Sequence, residues 1–276
     1  VERIDVATGR LGLFLDAKAK VIAPAVLHRV ADSAWTDPRR VDAVEAAPRL
    51  LLKTLPELVE PLRSHLAKYR LRARATIEPI ALSTIALVGP EAARADDGGA
   101  WSTVLDAHRP TVALLGSAQA WAGSTGRHGE SADDPDTVEA DRIEAGVAWL
   151  HDLLPGRMPA EVGGMEAAVA LDAGCYLGQE PVARLHYRGH ANRTLRRLEA
   201  PAGTELRPGS GDPDEALALR RPGDAADARP IGRLTTWATA PDGRVVALAT
   251  VRREVAAGDE LACSGGSHVF VARDDA

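Results

Sequence analysis

Leu171-Asp172-Ala173-Gly174-Cys175-Tyr176-Leu177-Gly178-Gln179-Glu180, running on into Pro181-Val182-Ala183-Arg184, gathers what the rest of the chain lacks. Within ten residues it holds a thiol, two glycines, a phenol, an amide and a carboxylate. Cys175 is one of only two cysteines among 276 residues, the other being Cys263. Glycines on either side permit backbone angles that other residues avoid and let a ligand approach the main chain. A free cysteine is most often a small buried hydrophobe. The polar neighbours Tyr176, Gln179 and Glu180 argue instead for a site on a turn, with the thiol available for chemistry.

The run Gly-Cys-Tyr-x-Gly-Gln-Glu, followed by Val-Ala-Arg, resembles the motif of the YgfZ-type folate-binding proteins. These are relatives of the glycine-cleavage aminomethyltransferase, associated with maintenance of iron–sulfur enzymes. Further segments share the resemblance from about Gly12 to Val251: the hairpin Leu15-Asp16 to Ile22, Val88-Gly89-Pro90, Arg142-Ile143-Glu144-Ala145-Gly146, Ile231-Gly232-Arg233-Leu234-Thr235-Thr236 and the strand after it. The resemblance implies an α+β fold, a three-domain ring of two α+β modules and a C-terminal antiparallel β-barrel. The expected divisions are 1–79, 80–190 (carrying the cysteine motif) and 191–276. It also implies tetrahydrofolate or a derivative as ligand, with Cys175 in the catalytic position. Gly174, Tyr176, Gln179 and Glu180 would shape its turn, and Glu144, beside Arg142, would hold the pterin. A carboxylate suits an aminopyrimidine edge because it accepts two parallel hydrogen bonds. The alternative for Arg142 and Glu144 is a surface ion pair with each other.

Three departures bear on activity. Ala173 stands where the family has a lysine, which would favour the thiolate. Ala19 replaces a glycine of the hairpin turn. Ala23 and Pro24 fall where aminomethyltransferases carry an acidic residue, and proton management at the folate nitrogens wants such a group. The resemblance implies a folate-binding accessory protein acting with iron–sulfur client proteins, and the departures lean against an enzyme while leaving that question open. A folate-dependent aminomethyl or one-carbon transferase is the alternative.

Composition is that of a globular protein, 45% apolar and 26% charged, with no apolar run of membrane-spanning length. Val1-Glu2-Arg3 leads into a polar segment, so no signal peptide is expected, and the two distant cysteines suit a reducing, cytoplasmic setting. A net charge of −6 argues against general nucleic-acid binding. One local exception follows the cysteine motif: Arg184, Arg188, Arg193, Arg196 and Arg197, with His186 and His190. It reads either as a solvated strand face or as an attractor for an anion such as the glutamate tail of folate.

Other patterns point less specifically. Strands are expected at Leu11–Leu15, Val21–Leu27, Arg49–Lys53, Ala75–Glu78, Leu82–Val88, Thr111–Leu115, Ile231–Thr236, Arg244–Val251, Glu260–Ser264 and His268–Ala272. A helix with a capping box at Thr54 should run to Tyr69, kinked or delayed by Pro61, and another from Asp136 to Leu150. Pro208–Arg229 reads as an exposed loop or a poorly ordered hairpin. Asp133, Asp134 and Asp136 lack the glycine and terminal glutamate of a calcium loop. Cys175, His186 and His190 match no usual zinc spacing, so no metal is expected. No hydrolase signature surrounds the cysteine, and no phosphate-binding glycine loop is present.

Overall fold

The computed structural model describes residues 9–30, 49–71, 73–80, 83–88, 111–116, 135–163, 168–171, 174–206, 215 and 217–273. Gly89-Pro90, Ala173, Asp133 and Asp134 lie outside the described residues. The chain is mixed α+β and divides into two compact units, residues 1–14 with 24–132, and residues 15–23 with 133–276.

Strands β1 (Gly9–Leu15), β2 (Val21–Val30) and β3 (Arg49–Lys53) form a sheet in the order β1-β2-β3. β2 and β3 are antiparallel, with Val26 opposite Lys53 and His28 opposite Leu51. Helix α1 (Val59–Tyr69) follows a single 3₁₀ turn, Pro56–Leu58. The capping box does not form, because the Thr54 hydroxyl donates to the Pro24 carbonyl at 2.7 Å instead. Pro61 delays the helix as expected: it occupies the third position, where an amide would lack an intrahelical partner anyway. Leu58 and Leu62 are buried. Strands β4 (Ser83–Val88) and β5 (Thr111–Gly116) pair antiparallel. Ala75–Glu78 is not a strand but an irregular, largely exposed segment; the charged and small residues around it offer no apolar face to bury.

The second unit is organised on a closed antiparallel barrel. Its strands are β6 (Arg193–Ala200), β7 (Ala218–Arg220), β8 (Gly232–Thr239), β9 (Val245–Arg252), β10 (Glu260–Cys263) and β11 (His268–Val271). They close in the order β10-β11-β6-β9-β8-β7. Strand β9 shows why its sequence is continuously apolar. Val245, Ala247, Ala249 and Val251 fill the interior with Leu198, Leu219, Leu261 and Val269. Val246 and Leu248, on its other face, lie under Ala140 and Ile143 of helix α2 (Pro135–Glu144). A strand covered on both faces loses the alternation of a solvated one. Strand β7 was hidden in the stretch read as a loop or poorly ordered hairpin. Only three residues long, it is fully buried and pairs with both β8 and β10.

Helix α2 is fastened to the barrel through one carboxylate. Asp152 is completely buried. Its Oδ2 accepts Arg142 Nη1 at 2.9 Å and the Trp149 amide at 2.9 Å. Its Oδ1 receives the hydroxyls of Thr235 and of Thr236, the latter at 2.7 Å. Successive strand residues normally face opposite ways. The β8–β9 register slips between Leu234 and Thr236, and this bulge brings both threonines to the same oxygen.

Two predictions follow from these buried groups. Asp152→Ala should lower stability by about 3–5 kcal/mol. It takes from the buried Arg142 guanidinium one of its two carboxylate partners, Glu139 remaining, and leaves the Trp149 amide and the Thr236 hydroxyl without their acceptor. Adding Arg142→Met should recover a large part, and additive losses in denaturant titrations would contradict the coupling. His28 is fully buried, and neither ring nitrogen has a hydrogen-bond partner among the described residues. Burial, and then the Lys53 charge, lower its pKa from 6.5 to about 4. The folded state therefore holds it neutral, and its contribution is complete above the unfolded value. Stability is lost as pH falls from 6.5 through 4, by roughly 2–3 kcal/mol at pH 4.5. His28→Leu should flatten that dependence in urea titrations; an unchanged acid slope would overturn the assignment.

Candidate functional site

The cysteine motif is built against the hairpin turn between β1 and β2. The Asp16 carboxylate accepts the amides of Lys18 and Lys20, both at 2.8 Å, and the Asp16 amide donates to the Lys20 carbonyl at 2.9 Å. This local bonding is what favours Asp in tight turns. Ala19 completes the turn with φ +60° and is fully buried. A glycine would take this left-handed angle without strain, and alanine adopts it at about 1–2 kcal/mol. Gly178, with φ +81°, lies against the turn: a Cβ there would sit 2.6 Å from the Asp16 carbonyl oxygen and 2.9 Å from the Ala19 Cα. The first and second halves of the motif resemblance, more than 150 positions apart in the chain, therefore meet in direct backbone contact.

Gly178 caps helix α3 (Gln179–Arg188), and Val182 anchors that helix in the core. Gly174 also has a positive φ, +94°, with open space where a Cβ would be. Between the two glycines Cys175 is exposed. The Tyr176 hydroxyl is buried with no hydrogen-bond partner among the described residues, and burial pushes its pKa up. Gln179 is half-buried, while Glu180, Arg184 and Arg188 are exposed. The basic stretch is accordingly split: Arg184, His186 and Arg188 belong to a helix, and Arg193, Arg196 and Arg197 to strand β6. No hydrogen bond or ion pair joins Arg184 or Arg188 to Cys175 among the described residues. Cys263, by contrast, is buried in the barrel core, and burial raises its pKa to about 11.

Arg142 and Glu144 lie on the last turn of α2, which ends six residues earlier than the pattern suggested. Gly146, at φ +68°, stops it: its amide donates to the Ile143 carbonyl at 2.9 Å and that of Val147 to the Arg142 carbonyl at 3.1 Å. This is the paired closing bond of a Schellman turn, which needs the left-handed residue that glycine supplies. The two side chains then part. Arg142 points inward, to Glu139 (2.6 and 3.0 Å), Asp152 and the Val147 carbonyl. Burial alone would lower its pKa, but Glu139 and Asp152 outweigh that and raise it. All its bonding is internal, and no Arg142–Glu144 pair forms.

Glu144 faces a cleft of about 620 Å³ lined by Arg197, Glu199, Arg244, Phe270 and Arg273. Its Oε1 accepts Arg244 Nη2 at 2.9 Å. Its backbone carbonyl, at the negative end of the helix, accepts Arg197 Nη1 at 2.6 Å. An acidic residue in a last turn is unfavourable by itself, and the two arginines offset it. The volume falls within the range of small-ligand sites. Arg244 is already held by Asp242, Glu199 and Glu144, and Arg197 by the carbonyls of Glu144 and Arg273. The remaining Glu144 oxygen, the Phe270 ring and the Arg273 guanidinium can together meet a planar heterocycle bearing an anionic group. No residue of Gly174–Arg188 lines this cleft. The sequence-predicted residues therefore occur in two groups, the cysteine turn with α3 and the end of α2. Asp152, Arg244, Phe270 and Arg273 were missed, and only the Thr235-Thr236 pair hinted at the Asp152 site.

Among the described residues no group of three or more His, Cys, Asp or Glu side chains is gathered to hold a metal. No helix among them is long and apolar enough to cross a membrane. No protein-family model matches the chain, and no curated protein matches it.

The two thiols should differ sharply in reactivity. At pH 8 a group with pKa about 11 is only about one part in a thousand thiolate, and Cys263 is enclosed as well. Brief treatment with iodoacetamide followed by peptide mass mapping should label Cys175 first. Preferential labelling of Cys263 would contradict the exposed-thiol arrangement.

Proposed function

We propose that this protein binds tetrahydrofolate, or a close derivative, as a cytoplasmic accessory factor in the assembly or repair of iron–sulfur enzymes. On this reading Cys175 is the working thiol and Glu144 holds the pterin. The exposed arginines of α3, Arg184 and Arg188, attract the anionic tail. The architecture would be the three-domain ring that the motifs suggest. The observation that carries the reading is the backbone contact of Gly178 with the Asp16–Ala19 turn. It joins the two stretches that most resemble the YgfZ-type proteins, and it leaves Cys175 exposed at the junction. The Glu144 cleft supports it further, with a ligand-sized volume and a carboxylate at its mouth.

An aminomethyltransferase is the less favoured reading. Ala23 and Pro24 are both buried, and neither can serve as the acid or base beside the folate nitrogens.

Tetrahydrofolate should quench the tryptophan fluorescence of the native chain saturably. Glu144→Gln should weaken that binding by roughly 10–100-fold, the loss expected when charge-assisted hydrogen bonds are removed. Equal binding by both proteins would remove Glu144 from the site. Absence of any saturable change, confirmed by equilibrium dialysis, would overturn the folate reading, and turnover of an aminomethyl donor would overturn the accessory role.

A further inference from the structure

A second collection of arginines sits at the other end of strand β6, apart from the Glu144 cleft. Arg193 opens β6 and lies directly opposite Arg252, the last residue of β9. Like charges placed opposite each other across a ladder are destabilising. The Ile231 carbonyl accepts the Arg252 amide at 2.8 Å and Arg193 Nη1 at 3.4 Å. The exposed Arg229, two residues earlier in the chain, is near enough for its charge to act on Arg193. Arg157 joins them from the loop before the 3₁₀ turn Pro159–Glu161, which packs on both β6 and α3.

The counter-charges are few. Glu161 is already engaged by the Met158 amide at 2.9 Å and by Lys20 at 3.5 Å. Glu254 lies 3.6 Å from Arg252 and is largely exposed. Among the described residues Arg157, Arg193 and Arg229 form no ion pair. Burial, then Arg157 and Arg252, and also Arg229, lower the pKa of Arg193, with Glu161 opposing. Arg193 thus carries a half-buried positive charge among like charges, a state the fold alone does not favour.

We propose that Arg157, Arg193, Arg229 and Arg252 form a binding site for a compact multivalent oxyanion, a phosphate or diphosphate group. Guanidinium groups bind such oxyanions through paired N–H donors, and a doubly or triply charged ligand removes the repulsion among them. The cations come from four separate segments, with Arg252 directly across the ladder from Arg193 and the 3₁₀ turn after Arg157 packed on β6, a gathering that suits a compact tetrahedral group. An extended oligocarboxylate would want cations strung along a groove. The proposal does not rest on folate binding, since no arginine of this cluster lines the Glu144 cleft.

Thermal unfolding of the full chain in pyrophosphate, at ionic strength matched with sodium chloride, tests it. At a hundredfold excess over the dissociation constant, pyrophosphate should raise the midpoint of the barrel unit by about 5–10 °C. Arg193→Gln and Arg252→Gln should each unfold at a higher temperature than the native chain without anion, and should lose most of the pyrophosphate response. The use of two variants guards against one that fails to fold. No rise in the native chain, or a full rise in both variants, would overturn the site. A larger rise with oligoglutamate than with pyrophosphate at equal charge would overturn the compact-oxyanion assignment.

Discussion

A single buried carboxylate, Asp152, sets the geometry on which the second unit depends. An ionised group with no solvent contact is tolerated only where its lone pairs are filled, and four donors fill these. The donors come from the last turn of α2, the loop that follows it and a bulge in β8. Removing any one leaves charge or lone pairs unmet in a dry place, so the three segments are held in one relative position. The position of Glu144 follows from this. It is two residues from Arg142 on a turn closed by Gly146, so fixing the Arg142 guanidinium inward directs its neighbour to the rim of the cleft.

The cysteine turn is positioned by a different means, close backbone packing with almost no side-chain bonding. Gly178 admits the Asp16 carbonyl where any side chain would collide, and the left-handed Ala19 completes the fit. Local strain of this kind persists only where the surroundings over-determine it. Here the surroundings are the Asp16 hydrogen bonds on one side and the core anchor Val182 on the other. The result is a rigid base beneath an exposed thiol, whereas Cys263 serves as ordinary filling for the barrel. The same residue type thus takes opposite roles, and its neighbours decide which.

Much of this was legible in the chain. The strands of the barrel follow from apolar runs bounded by turn residues such as Pro241-Asp242-Gly243, and the positive φ values at Gly174 and Gly178 follow from composition alone. What escaped has physical reasons. Strand β7 is three residues among prolines, glycines and aspartates, and only pairing on both edges makes it a strand. The length of α2 was overestimated because helical spacing continues past Gly146, while the turn there depends on one backbone angle. Asp152 carries no local signal: an aspartate in a loop looks solvated until the bulge at Thr235 turns two hydroxyls toward it. Of the two readings of the basic stretch, a strand face or an anion attractor, the strand face holds only from Arg193 onward, because the chain leaves the helix at Gly189, which separates helix from strand.

That separation explains how strand β6 serves two ends of the barrel differently. Arg193, Leu195 and Arg197 alternate onto its outer face, and Leu195 packs beneath α2 between the two arginines. The arginines are about 13 Å apart along the strand, too far to share a ligand group. Arg197 spends its donors on the carbonyls of Glu144 and Arg273, so its charge closes a helix end and steadies the cleft. Among the described residues Arg193 has one long carbonyl bond and the charges of three other arginines, with Glu161 opposing them. If both were there for stability, the second would more naturally be a neutral or acidic residue, since a cross-strand carboxylate opposite Arg252 would favour the folded state. Local arrangements that oppose stability concentrate where something else is to be bound. The less compensated end of β6, and not the satisfied one, is therefore where a bound anion would relieve the most repulsion.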